Sequence, residues 1–280
     1  MTAALTHLTA VVFDWAGTTV DFGSRAPAIV FQEIFRRRGV EITAAQAREP
    51  MGMAKRDHIA AILAMPEVAS AWRAAHGRQS ESVDIDAMYE EFLPLQRQVL
   101  KEHSEVIPGV PEAVAACRRM GLKVGSTTGY TRALMEIVSA AAKQQGYEPD
   151  CVLCAEDAPR GRPAPYLLYE AAMRLDAYPL WTTIAVDDTP VGIAAGRNAG
   201  CWTVGVTRTG NCVGLSREEL AALSPGEARR LCDQAARRLE SAGAHYTVES
   251  AADIVQVIGD FERRLQAGES PVSTVAAQGR

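Results

Sequence analysis

Asp14 ends the apolar run "AVVFD" and opens the turn "WAGTT". A buried strand that delivers a carboxylate into a tight turn is a common way to present a nucleophile, and a carboxylate that attacks phosphorus forms an aspartyl-phosphate. The plainer reading is an acid that only caps the turn. In phosphate-ester chemistry a second acid usually stands two residues on, where it protonates the leaving oxygen. That position here is Ala16. A nucleophile without its proton donor raises the question of which leaving group does not need one.

A second acidic feature is "TIAVDD", which places Asp187 and Asp188 side by side at the end of another buried run. Adjacent carboxylates repel each other and lose hydration on burial. A hard cation such as Mg²⁺, which takes carboxylate and water oxygens, relieves both penalties. Alternatively Asp188 or Thr189 caps the helix that starts at Pro190. "GSTTGY" offers the hydroxyls of Thr127 and Thr128 at a strand-to-helix turn, suited to a phosphate or simply to a helix cap. Arg162 in "RGRPAP" brings a guanidinium fork that matches a phosphoryl group; a surface-loop arginine is the alternative. Cys151 and Cys154 have metal-like spacing, but they lie in a strand-like run, where residues three apart face opposite sides, and no second pair accompanies them.

These residues sit at the ends of short apolar runs: "AVVFD", "LKVGSTT", "CVLCAED", "TIAVDD" and "WTVGV". Helical patterns separate most of them, namely "VPEAVAACRRMG", "TRALMEIVSAAAKQQG", "APYLLYEAAMRLD" and "PVGIAAGRNAG". Strands alternating with helices predict an α/β fold with a parallel sheet covered on both faces. Ligands of such sheets bind at the carboxyl ends of the strands, where Asp14, Thr127, Thr128, Asp187 and Asp188 all fall. From Phe22 to about Ser104 the pattern is helical only. This block is read as a cap domain, 22–104, inserted into a catalytic core of 1–21 and 105–266, with a small polar tail, 267–280, expected to be disordered.

The chain has 280 residues, 48% hydrophobic and 22% charged, with a net charge of −5. "RRR" at Arg36–Arg38 is short and reads as a solvated helix end, so a nucleic-acid partner is not expected. No apolar stretch reaches membrane-span length, and "MTAALTHLTA" lacks a basic flank and a cleavage-site pattern. Six scattered cysteines suit reduced thiols. The expectation is a cytoplasmic protein without a membrane partner.

The order Asp14, Thr128, Arg162, Asp188 resembles the haloacid dehalogenase superfamily. Within it, "FDWAGTTVDFG", "PMGMAKRDHI", "GSTTGYTR", "GRPAP" and "AGCWTVGV" together resemble the phosphonatase family, over most of the chain from Val11 to "GAHYTVES". The resemblance implies a Rossmann-like core under a helical cap and hydrolysis of the carbon–phosphorus bond of phosphonoacetaldehyde to acetaldehyde and phosphate. It implies Asp14 as nucleophile, Lys55 as the amine of a Schiff base, and Mg²⁺ held by Asp14, the Ala16 carbonyl and Asp188. Thr128 and Arg162 would bind the phosphoryl oxygens; Met51, Gly52, His58 and Tyr130 would lie near the amine or the substrate. A homodimer and a small phosphonate substrate are implied as partners. His58 either shuttles protons or lies on a helix surface.

Under this reading the missing acid has a reason. The leaving group is a carbanion, so no oxygen needs protonation; the reaction needs an electron sink, which an imine provides. Ser24, Arg25 and Gly192 depart from the family pattern, and Asp187 is a candidate to compensate for an acid expected at 192. Two rivals share some of these features: a Mg²⁺-dependent phosphate-ester phosphatase, disfavoured by Ala16, and a phospho-accepting signalling module, disfavoured by the long cap insertion.

Overall fold

The computed structural model describes residues 5–272. Six parallel strands form one sheet in the order β3-β2-β1-β4-β5-β6, where β1 is Ala10–Phe13, β2 Lys123–Thr127, β3 Cys151–Leu153, β4 Thr183–Asp187, β5 Trp202–Val206 and β6 Tyr246–Val248. The α/β class and the parallel sheet are thus as expected, and β6 is an addition: three residues at the sheet edge, too short to carry an alternation.

Alternate residues of β1 enter different cores. Val11 and Phe13 pack with Val124, Ile184 and Val204 on one face; Ala10 and Val12 pack with Leu153, Leu168 and Ala185 on the other. A strand buried on both faces has no polar side, which is why these runs read as continuous apolar stretches.

Of the helices between β1 and β2, the first five form a block of their own: α1 Arg25–Arg37, α2 Ala44–Arg48, α3 Lys55–Ala64, α4 Pro66–His76 and α5 Ser82–Leu100. They enclose a separate apolar cluster that includes Phe31, Phe35, Ile59, Ile62, Trp72 and Phe92. Around the sheet run α6 Val110–Arg119, α7 Arg132–Gln144, α8 Tyr166–Leu175, α9 Pro190–Ala199, α10 Arg217–Ala221, α11 Pro225–Ser241 and α12 Val255–Gln266. Helix α9 starts where the sequence places its start. The Thr189 hydroxyl accepts the Gly192 N–H, Pro190 occupies the first turn, and Gly200 ends the helix in the left-handed region.

Of the tail expected to be disordered, 267–280, residues 267–272 are described, and the Pro271 carbonyl there accepts a hydrogen bond from Arg197; 273–280 lie outside the described residues. No helix among the described residues is long and apolar enough to cross a membrane.

Candidate active site at the strand ends

The sheet changes direction at β1: β2 and β3 lie on one side of it, β4, β5 and β6 on the other. Loops leaving β1 and β4 therefore diverge and open a crevice at their carboxyl ends. Asp14 is the first residue past β1, Asp187 the last of β4 and Asp188 the next. One carboxylate oxygen from each lies within 4.8 Å of the others, and all three side chains are buried.

Arg162, in the loop before α8, ties this cluster together. Its Nη1 donates to Asp14 Oδ1 at 2.6 Å and sits 3.1 Å from Asp187 Oδ2; its Nη2 donates to the carbonyl and hydroxyl oxygens of Thr127 at 2.9 and 2.7 Å. The surface-loop alternative for Arg162 is therefore excluded. Asp188 accepts from the Thr18 hydroxyl at 3.2 Å and the Asn211 N–H at 2.7 Å. Asp187 accepts from the N–H and hydroxyl of Thr189 at 2.9 and 2.7 Å. Thr189 is thus the cap of α9, and Asp188 is left for the crevice.

Gly192 is required by this packing. A Cβ there would fall 1.9 Å from the carboxyl carbon of Asp187, so the acid fills the space a side chain at 192 would take.

The charges are unbalanced. Burial raises the Asp14 carboxyl to about 7, Arg162 opposes that rise, and Asp187 adds to it. Asp188 is pushed well above the carboxylate range by burial and then by Asp14 and Asp187. Such a set of buried hard oxygens fits a divalent cation, which would favour the charged form of each acid.

The helical block closes the crevice from above. Lys55 starts α3 and is 5% exposed; its Nζ lies 4.9 Å from the ring centroid of Tyr130 and 5.8 Å from that of Phe31. Burial lowers its ammonium to about 8, against the pull of Asp14 and with Arg162 adding to the fall. Lys55, Met51, Gly52, Thr128, Tyr130, Arg162, Asp14, Ala16 and Asp188 all line one small cavity of about 20 Å³. The chain passes close to itself here: a Cβ on Gly129 would fall 2.9 Å from the Met53 carbonyl, and one on Gly52 would fall 2.5 Å from the Thr189 hydroxyl. The left-handed φ of +96° at Gly52 independently favours glycine.

His58 is not brought to the cavity lining. It is fully buried one turn beyond Lys55, its ring stacks on Phe31 at 3.8 Å, and its Nε2 pairs with the Ala47 carbonyl at 2.9 Å. Burial, then the neighbouring Lys55, holds its pKa well below 6.5. The helix-surface alternative for His58 is corrected: the imidazole belongs to the core of the helical block. Arg25 likewise points elsewhere, lining a separate cavity of about 220 Å³ with Asp21, Phe22, His103 and Arg217. Thr18 and Asn211 gave no sequence signal, since their contacts to Asp188 cross 170 and 23 residues of chain.

The family description haloacid dehalogenase-like hydrolase matches residues 8–200. A phosphonoacetaldehyde hydrolase of Paraburkholderia phytofirmans is 46% identical over 265 residues, covering 95% of this chain and 99% of its own. This chain belongs to the phosphonoacetaldehyde hydrolase family of haloacid dehalogenase-like hydrolases. A family member from Bacillus cereus is 44% identical over 91% of this chain and 97% of its own. The crystal structure of a phosphonoacetaldehyde hydrolase-like protein from Oleispira antarctica superposes with a TM-score of 0.93 at 43% identity, covering 97% of this chain and 99% of that one.

Proposed function

We propose that this protein hydrolyses the carbon–phosphorus bond of phosphonoacetaldehyde to acetaldehyde and phosphate. The observation that carries the reading is a buried lysine facing a buried strand-end aspartate across one cavity, with Ala16 where an oxygen-directed acid would stand. The names of relatives at 44–46% identity support the substrate.

In this reading residues 22–104 are a cap and residues 1–21 and 105–266 are the catalytic core. The cavity between them, at about 20 Å³, has room for about one water, so the cap must lift to admit substrate. The free amine of Lys55 condenses with the substrate aldehyde and releases water. The resulting iminium draws the electrons of the breaking C–P bond into an enamine while an Asp14 oxygen attacks phosphorus. Protonation and hydrolysis of the enamine give acetaldehyde and return Lys55; water hydrolyses the aspartyl-phosphate and returns Asp14. Arg162 and Thr128 hold the equatorial oxygens of the phosphoryl group as it transfers. Asp14, Asp188 and the Ala16 carbonyl would hold a divalent cation, best Mg²⁺ for an all-oxygen set, which supplies positive charge against the nucleophile and the phosphoryl group. Met51, Gly52 and Tyr130 shape the space around the amine, and His58 backs the Phe31 ring that the amine also faces. A cytoplasmic homodimer completes the proposal; light scattering that returns the mass of a single chain would remove the dimer from it.

The deciding experiment incubates the protein with phosphonoacetaldehyde and Mg²⁺ and measures both products. Equal amounts of acetaldehyde and phosphate are expected, with far slower release from generic phosphate esters. Faster turnover of esters would make the protein an ester phosphatase instead.

A further inference from the structure

Arg48, the last residue of α2, carries a guanidinium that crosses from the helical block to the sheet side of the molecule. Its Nη1 donates to the carbonyls of Gly23 and Ser24 at 2.8 and 3.1 Å and to Asn211 Oδ1 at 3.0 Å; its Nη2 donates to the Gly214 carbonyl at 2.8 Å. Asn211 answers: its Nδ2 donates to the Arg48 carbonyl at 3.1 Å. The fit is close, since a Cβ on Gly214 would fall 2.8 Å from the guanidinium carbon.

The same loop grips Asp188 from its other side. The Asn211 N–H donates to Asp188 Oδ2 at 2.7 Å, and the Cys212 thiol lies 3.7 Å from the Asp188 carbonyl. A Cβ on Gly210 would fall 2.6 Å from Asp188 Cβ, so backbone packs directly on the acid. The loop is also tied to the turn after β1, because the Thr209 hydroxyl donates to the Gly17 carbonyl at 2.9 Å. Asn211 thus has one end on the acid and the other on a residue of the helical block. Its side chain is 6% exposed, so water does not readily replace the lost partner if Arg48 withdraws.

We propose that Arg48 and Asn211 form a clasp that aims the Asp188 carboxylate only while the helical block is seated on the sheet. Arg48 touches neither the acid nor the cavity and acts through Asn211, so it is a positioning residue. When Arg48 leaves, the 210–214 loop loses its outer anchor and the Asn211 N–H is free to move off Asp188. The cation site is thereby tightest in the closed molecule. The inference rests on the reading of Asp188 as a ligand of the divalent cation.

The test is a calorimetric titration of the full chain with Mg²⁺, without substrate. Groups that orient a metal ligand from behind typically change affinity by about 10–100-fold. Arg48→Ala and Asn211→Ala are each expected to weaken Mg²⁺ binding about tenfold. The double variant should be no weaker than the worse single variant, because the two act in series. Arg48→Lys should behave like Arg48→Ala, since one ammonium cannot span carbonyls on two sides. If Arg48→Ala does not fold, Asn211→Ala retains three of the four Arg48 acceptors and still reads the clasp. Wild-type Mg²⁺ affinity in a folded Asn211→Ala protein, or losses that multiply in the double variant, would overturn the proposal. A wild-type protein that binds Mg²⁺ but does not cleave phosphonoacetaldehyde would refute the proposed function while leaving the titration able to decide the clasp.

Discussion

Lys55 is charged in water at neutral pH, and the site lowers it to about 8 by burial more than by any neighbouring charge. Only the neutral amine attacks an aldehyde. Below pH 8 the amine is protonated, and kcat/KM is expected to fall about tenfold per pH unit; above 8 it should level off. Borohydride added with substrate should reduce the imine and leave a covalent adduct on the peptide that holds Lys55. Lys55→Arg keeps the charge but forms no such imine, and a loss of roughly 10³-fold or more in turnover is expected with the fold intact. An adduct on Lys101, Lys123 or Lys143 instead would remove Lys55 from the mechanism. Gly192 is the second residue whose role is testable on its own. Gly192→Ala must push Asp187 off Arg162 or distort α9, at a cost of roughly 1–3 kcal/mol, and turnover should fall with it. Asp187→Gly in the same chain should return the lost stability, as read by thermal unfolding; a Gly192→Ala protein as stable and active as the wild type would contradict the packing.

At the scale of elements, β1 has to be held in register for Asp14 to meet Asp188. The ladders to β2 and β4 set that register, and one acid on α12 holds the chain leading into the strand. Glu262 accepts from the main-chain N–H groups of Thr6, His7 and Leu8 and from the Thr6 hydroxyl, just ahead of the strand. Burial works against its charge, but the hydrogen bonds from Leu8, His7 and Thr6 prevail and hold the carboxyl at about 2. Its folded pKa lies below the unfolded value of 4.5, so the stabilisation is complete above pH 4.5 and is lost as pH falls toward 2. Glu262→Gln should lower stability at pH 7 by roughly 1–3 kcal/mol and flatten this acid limb. Denaturant unfolding at pH 7 and pH 3 measures both. An unchanged difference between the two pH values in the variant would move the anchoring elsewhere.

Over the whole molecule, two apolar clusters on the sheet and one in the helical block meet at a polar seam that holds three buried acids, Arg162 and Lys55. The acids repel one another across less than 4.8 Å, so a bound cation should stabilise the entire fold rather than the site alone. Mg²⁺ is expected to raise the unfolding midpoint of the wild type, and a chelator to abolish turnover reversibly. Asp188→Asn should lose both responses. Full turnover in excess chelator would rule out the metal assignment.

Much of this was open to sequence reading because the signals are local. Apolar runs ending in Asp14, Thr127 and Asp187 mark strands whose side chains meet only other strands and helices, and Thr189, Pro190 and Gly200 mark the bounds of α9 through contacts a few residues long. Ala16 is likewise legible, because a missing acid is visible at a fixed spacing from Asp14. The family motifs around Lys55 and Arg162 added their expected roles. Tertiary structure alone decided what depends on distant segments meeting. His58 shares its helix face with Ile59 and Ile62, but only the fold brings Phe31 and Ala47 over its imidazole. Gly192 stands out in the sequence as a departure that Asp187 could offset, but only the fold shows the Asp187 carboxyl filling the space of a side chain there. Asn211, in a loop with no motif, reaches Asp188 and Arg48 together only because β4 and β5 are neighbours and α2 lies above them. Spacing along a chain records what a residue is near in sequence; hydrogen bonds across 163 residues are set by packing, and no local pattern encodes them.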